Sequence, residues 1–232
     1  MKNILFSVIL LTLAFPVTSG VMPSQSRVIF EGSDRTQSLM LVNTNSYPVV
    51  VQSWVDKGEG NPDKNDIPFV ILPPVFRLEP ADIKGIRIIR NQKALPPDRE
   101  SLFWLNIYEM PPDTRTNKEN SVLVTMNTQL KIIYRPDSVT STSAESMKKT
   151  QCKYIRKSFI QCNNDSANYL SISRVRYVDQ RNINHPVENG MKTIPPYSEF
   201  TIEEVTITNQ PVGIIITLIK DAGEMEDIFI KM

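Results

Sequence analysis

Side chains able to perform acid–base, nucleophilic or metal chemistry are few in this chain. His185 is the only histidine among 232 residues, and in the turn-like segment NHPVENG a surface position is far more common than a role as general base. Without a second histidine, a zinc site of the ordinary type is not expected. The chain also lacks a glycine-rich phosphate loop, a G-x-S-x-G elbow and an H-E-x-x-H motif. We therefore predict a protein that is not an enzyme, with no cofactor and no metal.

The two cysteines, Cys152 and Cys162, are symmetric about Lys157. A hairpin that turns at Lys157 would place them opposite each other, and facing Cα atoms in a non-hydrogen-bonded pair are ~4.5 Å apart, within the range of a disulfide. The apolar run Ile4–Val17 after Lys2 is typical of a signal peptide, and cysteine pairs in exported chains are usually bridged. The sequence therefore favours a disulfide, and a redox or metal-binding pair is the alternative.

The segment from Val122 to Tyr134 is long, apolar at its even positions, and free of Gly and Pro. Its apolar even positions are Val122, Val124, Met126, Leu130, Ile132 and Tyr134. A strand of this length would span about 40 Å, well beyond the ~5 to 6 residues usual in a sandwich. Such a strand would project beyond its own sheet and pair with a partner. The equally supported alternative is a long edge strand covered by the preceding loop, DTRTNKEN.

Short β-branched or aromatic segments separated by turns make up most of the remaining chain. The first group is RVIFE, SLMLVN, VVVQSWV, FVIL, KGIRIIR and LFWLNIY. After Pro136, the polar stretch DSVTSTSAESMKKT predicts a linker or loop. Strand-like segments then resume, namely KYIRK, SFIQC, YLSISRVRYVD, EFTIEEVTI, VGIIITLI and DIFIKM. The pattern predicts an all-β protein with two β-sandwich domains, of which the second is smaller.

The amino-terminal residues have the pattern of a signal peptide. Lys2 precedes an apolar run, Ile4–Val17, and small residues follow it. The run is short for a membrane span of ~20 residues, so cleavage near Ser19 or Gly20 is expected. An uncleaved anchor is the alternative, because no Ala-x-Ala sequence is present. The predicted divisions are a signal peptide (1–20), an N-terminal domain (21–138) and a C-terminal domain (139–232).

Five motifs carry a family resemblance. The longest is LPPDRESLFWLNIYEMPP, from Leu95 to Pro112, and the others are SRVIFEG, QSWV, LPPVFRLEP and KIIYRP. Together they resemble the periplasmic pilus (fimbrial) assembly chaperones, the PapD-like family of the chaperone–usher pathway. The resemblance implies two immunoglobulin-like β-sandwich domains in an L-shaped arrangement. It also implies a periplasmic chaperone that binds, folds and caps pilus subunits and delivers them to an outer-membrane usher.

The resemblance further implies roles for five residues. Arg27 and Lys131 match a cleft pair that holds the carboxylate at the end of a pilus subunit chain, and we expect both to be partly exposed in the free protein. Val122, Val124 and Met126 match the apolar residues that this family inserts into an incomplete subunit sandwich, which is donor-strand complementation. Without an intervening bulge, Lys131 and these even-numbered donors face opposite ways.

Three charged residues match a family network that joins the two domains: Glu100, Arg135 and Asp221. The second half departs from the family pattern, because NNDSANYL at Asn163 to Leu170 replaces an Asn-Pro-x-Pro turn. The short loop before VLVTM resembles the branch of the family that serves rod-like pili.

The predicted partners are pilus subunits and an outer-membrane usher. A formal net charge of +1 without a clustered basic surface argues against nucleic acid, and no membrane insertion is expected. Self-association of the free protein stays open. An immunoglobulin-like pilus subunit or adhesin is the alternative function, although no donor strand precedes Arg27, and a general receptor module is a third reading.

Overall fold

The structure is a computed structural model of the chain. It describes residues 20–62, 66–112, 124–156, 159–188, 192–202 and 211–232. Of the predicted signal peptide, residues 1–19 lie outside the described residues. Strands predominate in the described ranges, and a short helix lies between two groups of strands.

The first group of strands forms an N-terminal sandwich. Its strands are β1 (Val21–Pro23), β2 (Arg27–Glu31), β3 (Thr36–Asn43), β4 (Val49–Asp56), β5 (Phe69–Leu72), β6 (Val75–Leu78), β7 (Ile83–Arg90), β8 (Ser101–Met110) and β9 (Met126–Arg135). One sheet has the order β1-β3-β7-β5, and the sheet facing it has the order β2-β9-β8-β4-β6. The pairing of β2 with β9 is parallel.

Alternating side chains explain how these strands form a core. In β7, Ile86 and Ile88 are fully buried while Arg87 between them is exposed, as a strand with one face against a core requires. Phe30 of β2 and Ile132 of β9 meet the same hydrophobic cluster from the facing sheet. The two sheets therefore enclose one apolar layer.

The second group forms a C-terminal sandwich. Its elements are α1 (Ser143–Lys149), β10 (Gln151–Arg156), β11 (Phe159–Asn164), β12 (Leu170–Asp179), β13 (Asn184–Pro186), β14 (Lys192–Ile194), β15 (Ser198–Ile202), β16 (Pro211–Ile219) and β17 (Met225–Lys231). One sheet is β10-β11-β15, and the other is β13-β12-β16-β17 with β14 also pairing with β12. A separate hydrophobic cluster lies between them. The predicted all-β fold is confirmed. The predicted boundary at residues 138 and 139 falls between the two clusters and stays a prediction.

The linker or loop predicted after Pro136 is wrong for residues 143–149, which form α1. Thr142 caps the helix: its hydroxyl accepts a hydrogen bond from the Glu145 amide at 3.3 Å, and the Glu145 carboxylate accepts one from the Thr142 amide at 2.9 Å. This reciprocal capping box stabilises the first turn. Met147 is fully buried in the C-terminal cluster. This packing stabilises α1, because a helix of seven residues would not be stable in isolation.

The predicted disulfide is confirmed. Cys152 and Cys162 are register partners in the β10–β11 hairpin, and their Cα atoms are 4.1 Å apart in the bridged pair. A bridged pair offers no free thiolate as a metal ligand.

His185 lies in β13, not in the exposed turn that the sequence suggested. Its ring stacks on Tyr177 with centroids 4.5 Å apart, and its Nε2 lies 3.2 Å from Asp179 Oδ2. The histidine is half-buried as part of the sheet because these two neighbours on β12 hold it there.

Candidate functional site

Strand β9 is paired on both sides over its second half and on one side over its first half. β8 pairs with β9 from Met126 to Tyr134, whereas β2 pairs with it only from Lys131 to Arg135. Among the described residues, no strand covers the β2 side of β9 between Met126 and Leu130. Unpaired amide and carbonyl groups along such an edge are a template for an added strand. We call residues 126–130 on this side the open edge.

The predicted apolar donors lie at the start of the open edge. Val124 is 74% exposed and Met126 is 42% exposed, whereas Val122 lies outside the described residues. β9 begins at Met126, so the predicted strand from Val122 is wrong for residues 124 and 125, which precede the strand. The loop DTRTNKEN, which the alternative reading placed over this strand, also lies outside the described residues.

Side chains along β9 alternate without interruption. Leu130, Ile132 and Tyr134 contact the N-terminal core, and the β8–β9 register from Met126 to Tyr134 has no shift. Met126 is therefore on the same face as these core residues. Lys131 points to the opposite face, as its odd position predicts.

Arg27 and Lys131 are partners in the parallel β2–β9 register. Arg27 is only 7% exposed, and its Nη1 donates a hydrogen bond to the carbonyl oxygen of Ile219 at 3.2 Å. Its Nε is buried without a hydrogen-bond partner among the described residues. The expectation that both cations are partly exposed is therefore wrong for Arg27, because the end of β16 covers it.

Lys131 is half-buried between the two sandwiches. Its Nζ donates hydrogen bonds to Ser171 Oγ at 3.1 Å and to Thr193 Oγ1 at 2.5 Å. The ammonium group also lies 5.6 Å from the ring centroid of Trp104, within the range of a cation–π contact. Burial, helped by the neighbouring positive charge of Arg27, lowers the pKa of Lys131 to about 8.

The two cations form a site suited to an anion. Burial likewise lowers the pKa of Arg27, and the charge of Asp221 opposes that effect. Two adjacent cations repel each other and lose hydration, and the neutral hydroxyl and carbonyl groups around them do not cancel their charge. A carboxylate between them would remove the repulsion and accept charge-assisted hydrogen bonds.

The structure brings Glu100, Arg135 and Asp221 together between the sandwiches. Arg135 Nε donates to Glu100 Oε1 at 2.7 Å, and its Nη2 donates to Asp221 Oδ2 at 2.8 Å. The Arg135 side chain is 9% exposed and that of Glu100 is 1% exposed. Glu31 stands further off, with an oxygen 3.7 Å from Arg135 Nη1, and is half-exposed.

Asn168 and Ser143 extend this network, and sequence reasoning missed both. Asn168 is fully buried, and its Nδ2 donates to Glu100 Oε1 at 3.0 Å and to the Ser141 carbonyl at 2.8 Å. The Ser143 hydroxyl donates to Asp221 Oδ1 at 2.6 Å. Asn168 belongs to the NNDSANYL segment that departs from the family pattern, which was the available signal.

Burial raises the pKa of the Glu100 carboxyl, against the opposing effects of Arg135 and of hydrogen bonds from the Tyr169 amide and Asn168. For Arg135, burial alone would lower the pKa, but Glu100 and Asp221 outweigh it and the pKa is raised. Arg135 therefore stays charged, and the ionised form of Glu100 depends on it.

The described ranges contain neither a metal-binding cluster nor a membrane-spanning helix. No group of three or more His, Cys, Asp or Glu side chains there could hold a metal ion. No helix in that part of the chain is long and apolar enough to cross a membrane.

Fold and site define a two-domain immunoglobulin-like protein with an open strand edge that ends at a cationic cleft. Residues 20–140 match the family model described as "Pili and flagellar-assembly chaperone, PapD N-terminal domain". This match spans more than half of the 232 residues. The chain therefore belongs to the PapD-like family of pilus and flagellar-assembly chaperones.

Individual relatives agree with the family match. The chain is 31% identical over 210 residues to "Chaperone protein LpfB" of Salmonella typhimurium, which covers 90% of this chain and 87% of that protein. It resembles the crystal structure of the Pseudomonas aeruginosa CupB2 chaperone, with 28% identity and a TM-score of 0.78 over 91% of this chain and 100% of that one. It also resembles a structure of Salmonella enterica SafA pilin in complex with the SafB chaperone, with 26% identity and a TM-score of 0.76 over 94% of this chain and 99% of that one.

These findings confirm the class that the sequence motifs predicted. The chain is a fimbrial chaperone with immunoglobulin-like domains, and its family is non-enzymatic and periplasmic. The reading as a pilus subunit or adhesin gains no support, because the matched family and relatives are chaperones.

Proposed function

We propose that this chaperone captures a pilus subunit by donor-strand complementation along the open edge of β9. Val122, Val124 and Met126 would enter the subunit's apolar groove, and the subunit's terminal carboxylate would bind Arg27 and Lys131. The main observation in support is that the open edge stops at the residue pair where two cations meet. The chaperone would in this way fold and cap the subunit.

The parallel direction of β2 explains why a carboxylate would meet the cations. β2 begins at Arg27 and runs parallel to β9. A client strand on the open edge occupies the same column of the sheet, immediately before β2. If it also runs parallel to β9, it ends at Arg27 and Lys131 with its carboxyl group. An antiparallel client could bring only the start of a strand to this point.

Binding energy should come from three sources: burial of the apolar side chains, backbone pairing along the edge, and hydrogen bonds to the carboxylate. Full burial of Val124 or Met126 would contribute about 1.5–3 kcal/mol each, and backbone pairing along the edge adds affinity that does not depend on client sequence. A hydrogen bond to a charged group contributes about 1.5–3 kcal/mol. The carboxylate grip also fixes register, because a slip of one residue would present Thr125 in place of Val124.

We further propose that Glu100, Arg135 and Asp221 hold the two sandwiches in the geometry that the cation site needs. Lys131 reaches the hydroxyls of Ser171 and Thr193 only while the sandwiches keep this arrangement. Buried charge networks are better suited to fixing geometry than to adding stability. The division of the chain at residues 138 and 139 is part of the same proposal.

Capture is tested by co-expression of the chaperone with candidate pilus subunits in the periplasm. The tagged chaperone should emerge from the periplasm in an equimolar complex with a subunit, and a subunit lacking its last residues should not be retained. Recovery of the chain as a component of the assembled fibre would instead indicate an adhesin or subunit.

Delivery to an outer-membrane usher is supported by family membership. The test is sedimentation with outer membranes that contain the usher. The chaperone–subunit complex should co-sediment with these membranes and not with membranes lacking the usher. Equal sedimentation with both membranes would overturn this part of the proposal.

A further inference from the structure

Glu109 is a buried carboxylate that lies beside the first described residues, Gly20 and Val21. It lies on β8, is 6% exposed, and accepts a hydrogen bond from the Val21 amide at 2.6 Å. Among the described residues, no lysine or arginine forms an ion pair with it. Buried charges are normally paired, because loss of hydration disfavours an isolated ion. A positive charge placed next to the Glu109 carboxylate would therefore be favourable.

Gly20 is already a structural part of the N-terminal sandwich. Its N–H donates to Asn45 Oδ1 at 3.2 Å. Its carbonyl oxygen accepts hydrogen bonds from the Thr44 amide at 3.1 Å and the Thr44 hydroxyl at 2.7 Å. A mature protein that lacked Gly20 would lose all three bonds and leave polar groups of Thr44 and Asn45 without these partners.

The space around Gly20 is filled by Glu109 and by the first residue of β9. A Cβ atom added to Gly20 would lie 3.0 Å from Glu109 Oε2 and 3.2 Å from Met126 Sδ. The carboxylate thus lies next to the Gly20 Cα, and it already accepts a hydrogen bond from the amide of the next residue, Val21. Glycine fits here because any side chain would press on both neighbours.

We propose that export cleaves the chain between Ser19 and Gly20, and that the new α-ammonium group of Gly20 is the counter-charge of Glu109. Hydrolysis of this peptide bond consumes one water and leaves a carboxylate on Ser19 and an amine on Gly20. The amine is mostly protonated at neutral pH, since α-amino groups have a pKa of roughly 7.7–8.0. Ser19 is a small residue at the position before the cut, as signal peptides require.

The competing cut, between Gly20 and Val21, is equally compatible with the small-residue pattern. It would also bring an ammonium group to Glu109, on Val21. It would, however, remove the Gly20 N–H and carbonyl that bond Asn45 and Thr44. The cut before Gly20, in contrast, keeps these hydrogen bonds in the mature protein.

Processing is thereby linked to the open edge. Gly20, Asn45 and Glu109 form what we call the amino-terminal clamp, and Met126 packs against it. Before cleavage, the nitrogen of Gly20 belongs to an uncharged amide and gives Glu109 no charge. The complete clamp beside the start of β9 therefore forms only in the processed chain.

The cleavage site is tested by the intact mass and the amino-terminal sequence of protein isolated from the periplasm. We expect a chain that begins at Gly20. A chain that begins at Val21, or upstream of Gly20, would overturn the proposed cut.

The ion pair is tested by thermal unfolding of the processed protein with a free and with an acetylated amino terminus. Acetylation should lower Tm by roughly 2–4 °C, the shift expected for loss of one modest interaction in a chain of this size. In Glu109→Gln, acetylation should have no further effect. Glu199→Gln, at an exposed position on β15, is the matched control and should keep the full effect.

Two results would overturn the ion pair. One is an equal acetylation effect in wild type and in Glu109→Gln. The other is an unchanged Tm on acetylation of the wild-type protein, which decides the matter even if Glu109→Gln does not fold.

Discussion

Arg27 and Lys131 stand opposite each other in the parallel register of β2 and β9, and both side chains reach the C-terminal sandwich. Arg27 bonds the Ile219 carbonyl, and Lys131 bonds the hydroxyls of Ser171 and Thr193. The end of the open edge is therefore also a contact between the sandwiches. This relationship connects the cation site to the interdomain network around Arg135.

Removal of either cation should weaken subunit capture. In Arg27→Ala or Lys131→Ala, the client carboxylate loses hydrogen bonds worth about 1.5–3 kcal/mol, so affinity should fall by roughly 10- to 100-fold. The measurement is titration of the purified chaperone with a peptide of the subunit's carboxyl-terminal strand.

The matched control is Arg77→Ala, at an exposed position on β6 of the same sheet. It should bind like wild type, and circular dichroism should show that all three variants are folded. Wild-type affinity in both cleft variants would refute the carboxylate site.

Capture should weaken as the pH rises through about 8, the pKa of Lys131 in the free protein. The protonated form binds the carboxylate, and it falls from about 90% of molecules one unit below the pKa to about 10% one unit above. Lys131→Arg keeps its charge throughout this range and should remove the pH dependence. An identical pH profile in wild type and Lys131→Arg would exclude Lys131 as the titrating group.

Although capture should weaken as the pH rises, the free protein should become more stable over the same change in pH. Folding lowers the pKa of Lys131 from 10.5 to about 8, so the folded state binds fewer protons than the unfolded state between these values. The free energy of unfolding should therefore rise with pH from about 8 to about 10.5. Urea titrations of wild type and Lys131→Met measure this rise, which the variant should lack.

An acidic residue in place of Val124 should block capture. Val124→Asp would place an unpaired charge in the client's apolar groove, and because Val124 is 74% exposed in the free protein, folding should not suffer. Thr125→Asp is the neighbouring control, since its side chain should face away from the groove. Pull-down with the subunit should fail only for Val124→Asp, and equal loss in both would argue against alternate side chains entering the client.

Loss of Arg135 should destabilise the protein strongly. Arg135→Met leaves the Glu100 carboxylate buried without its cation, which typically costs about 3–5 kcal/mol. Glu31 contacts the same arginine from a half-exposed position, with an oxygen 3.7 Å from Arg135 Nη1. Glu31→Gln should therefore lower the free energy of unfolding by only about 0–1 kcal/mol. Urea unfolding compares the two, and similar small losses would show that the network is not a tightly coupled unit.

Local patterns were sufficient to predict much of the fold. RVIFE and FVIL occupy β2 and β5 with the predicted bounds, because β-branched runs end at turn residues in both. The parity of Lys131 against the even residues of β9 could be predicted because a strand without a bulge alternates strictly. The cysteine hairpin followed from symmetric spacing.

Features that depend on contacts between distant segments could not be predicted in this way. Ser171 and Thr193 contact Lys131 only through the packing of the two sandwiches, and no local pattern marks them. The burial of Arg27 has the same cause. Helix α1 was missed although Thr142 and Glu145 have capping-box spacing, because a helix of two turns shows little apolar periodicity.

Amide hydrogen exchange along β9, in the free chaperone and in its complex with a subunit, tests donor-strand capture most directly. The edge-facing amides from residue 124 to residue 130 should exchange rapidly in the free protein and become protected in the complex, while amides of Ile132 to Tyr134 stay protected in both. A bound subunit that leaves exchange at residues 124–130 unchanged would contradict strand sharing.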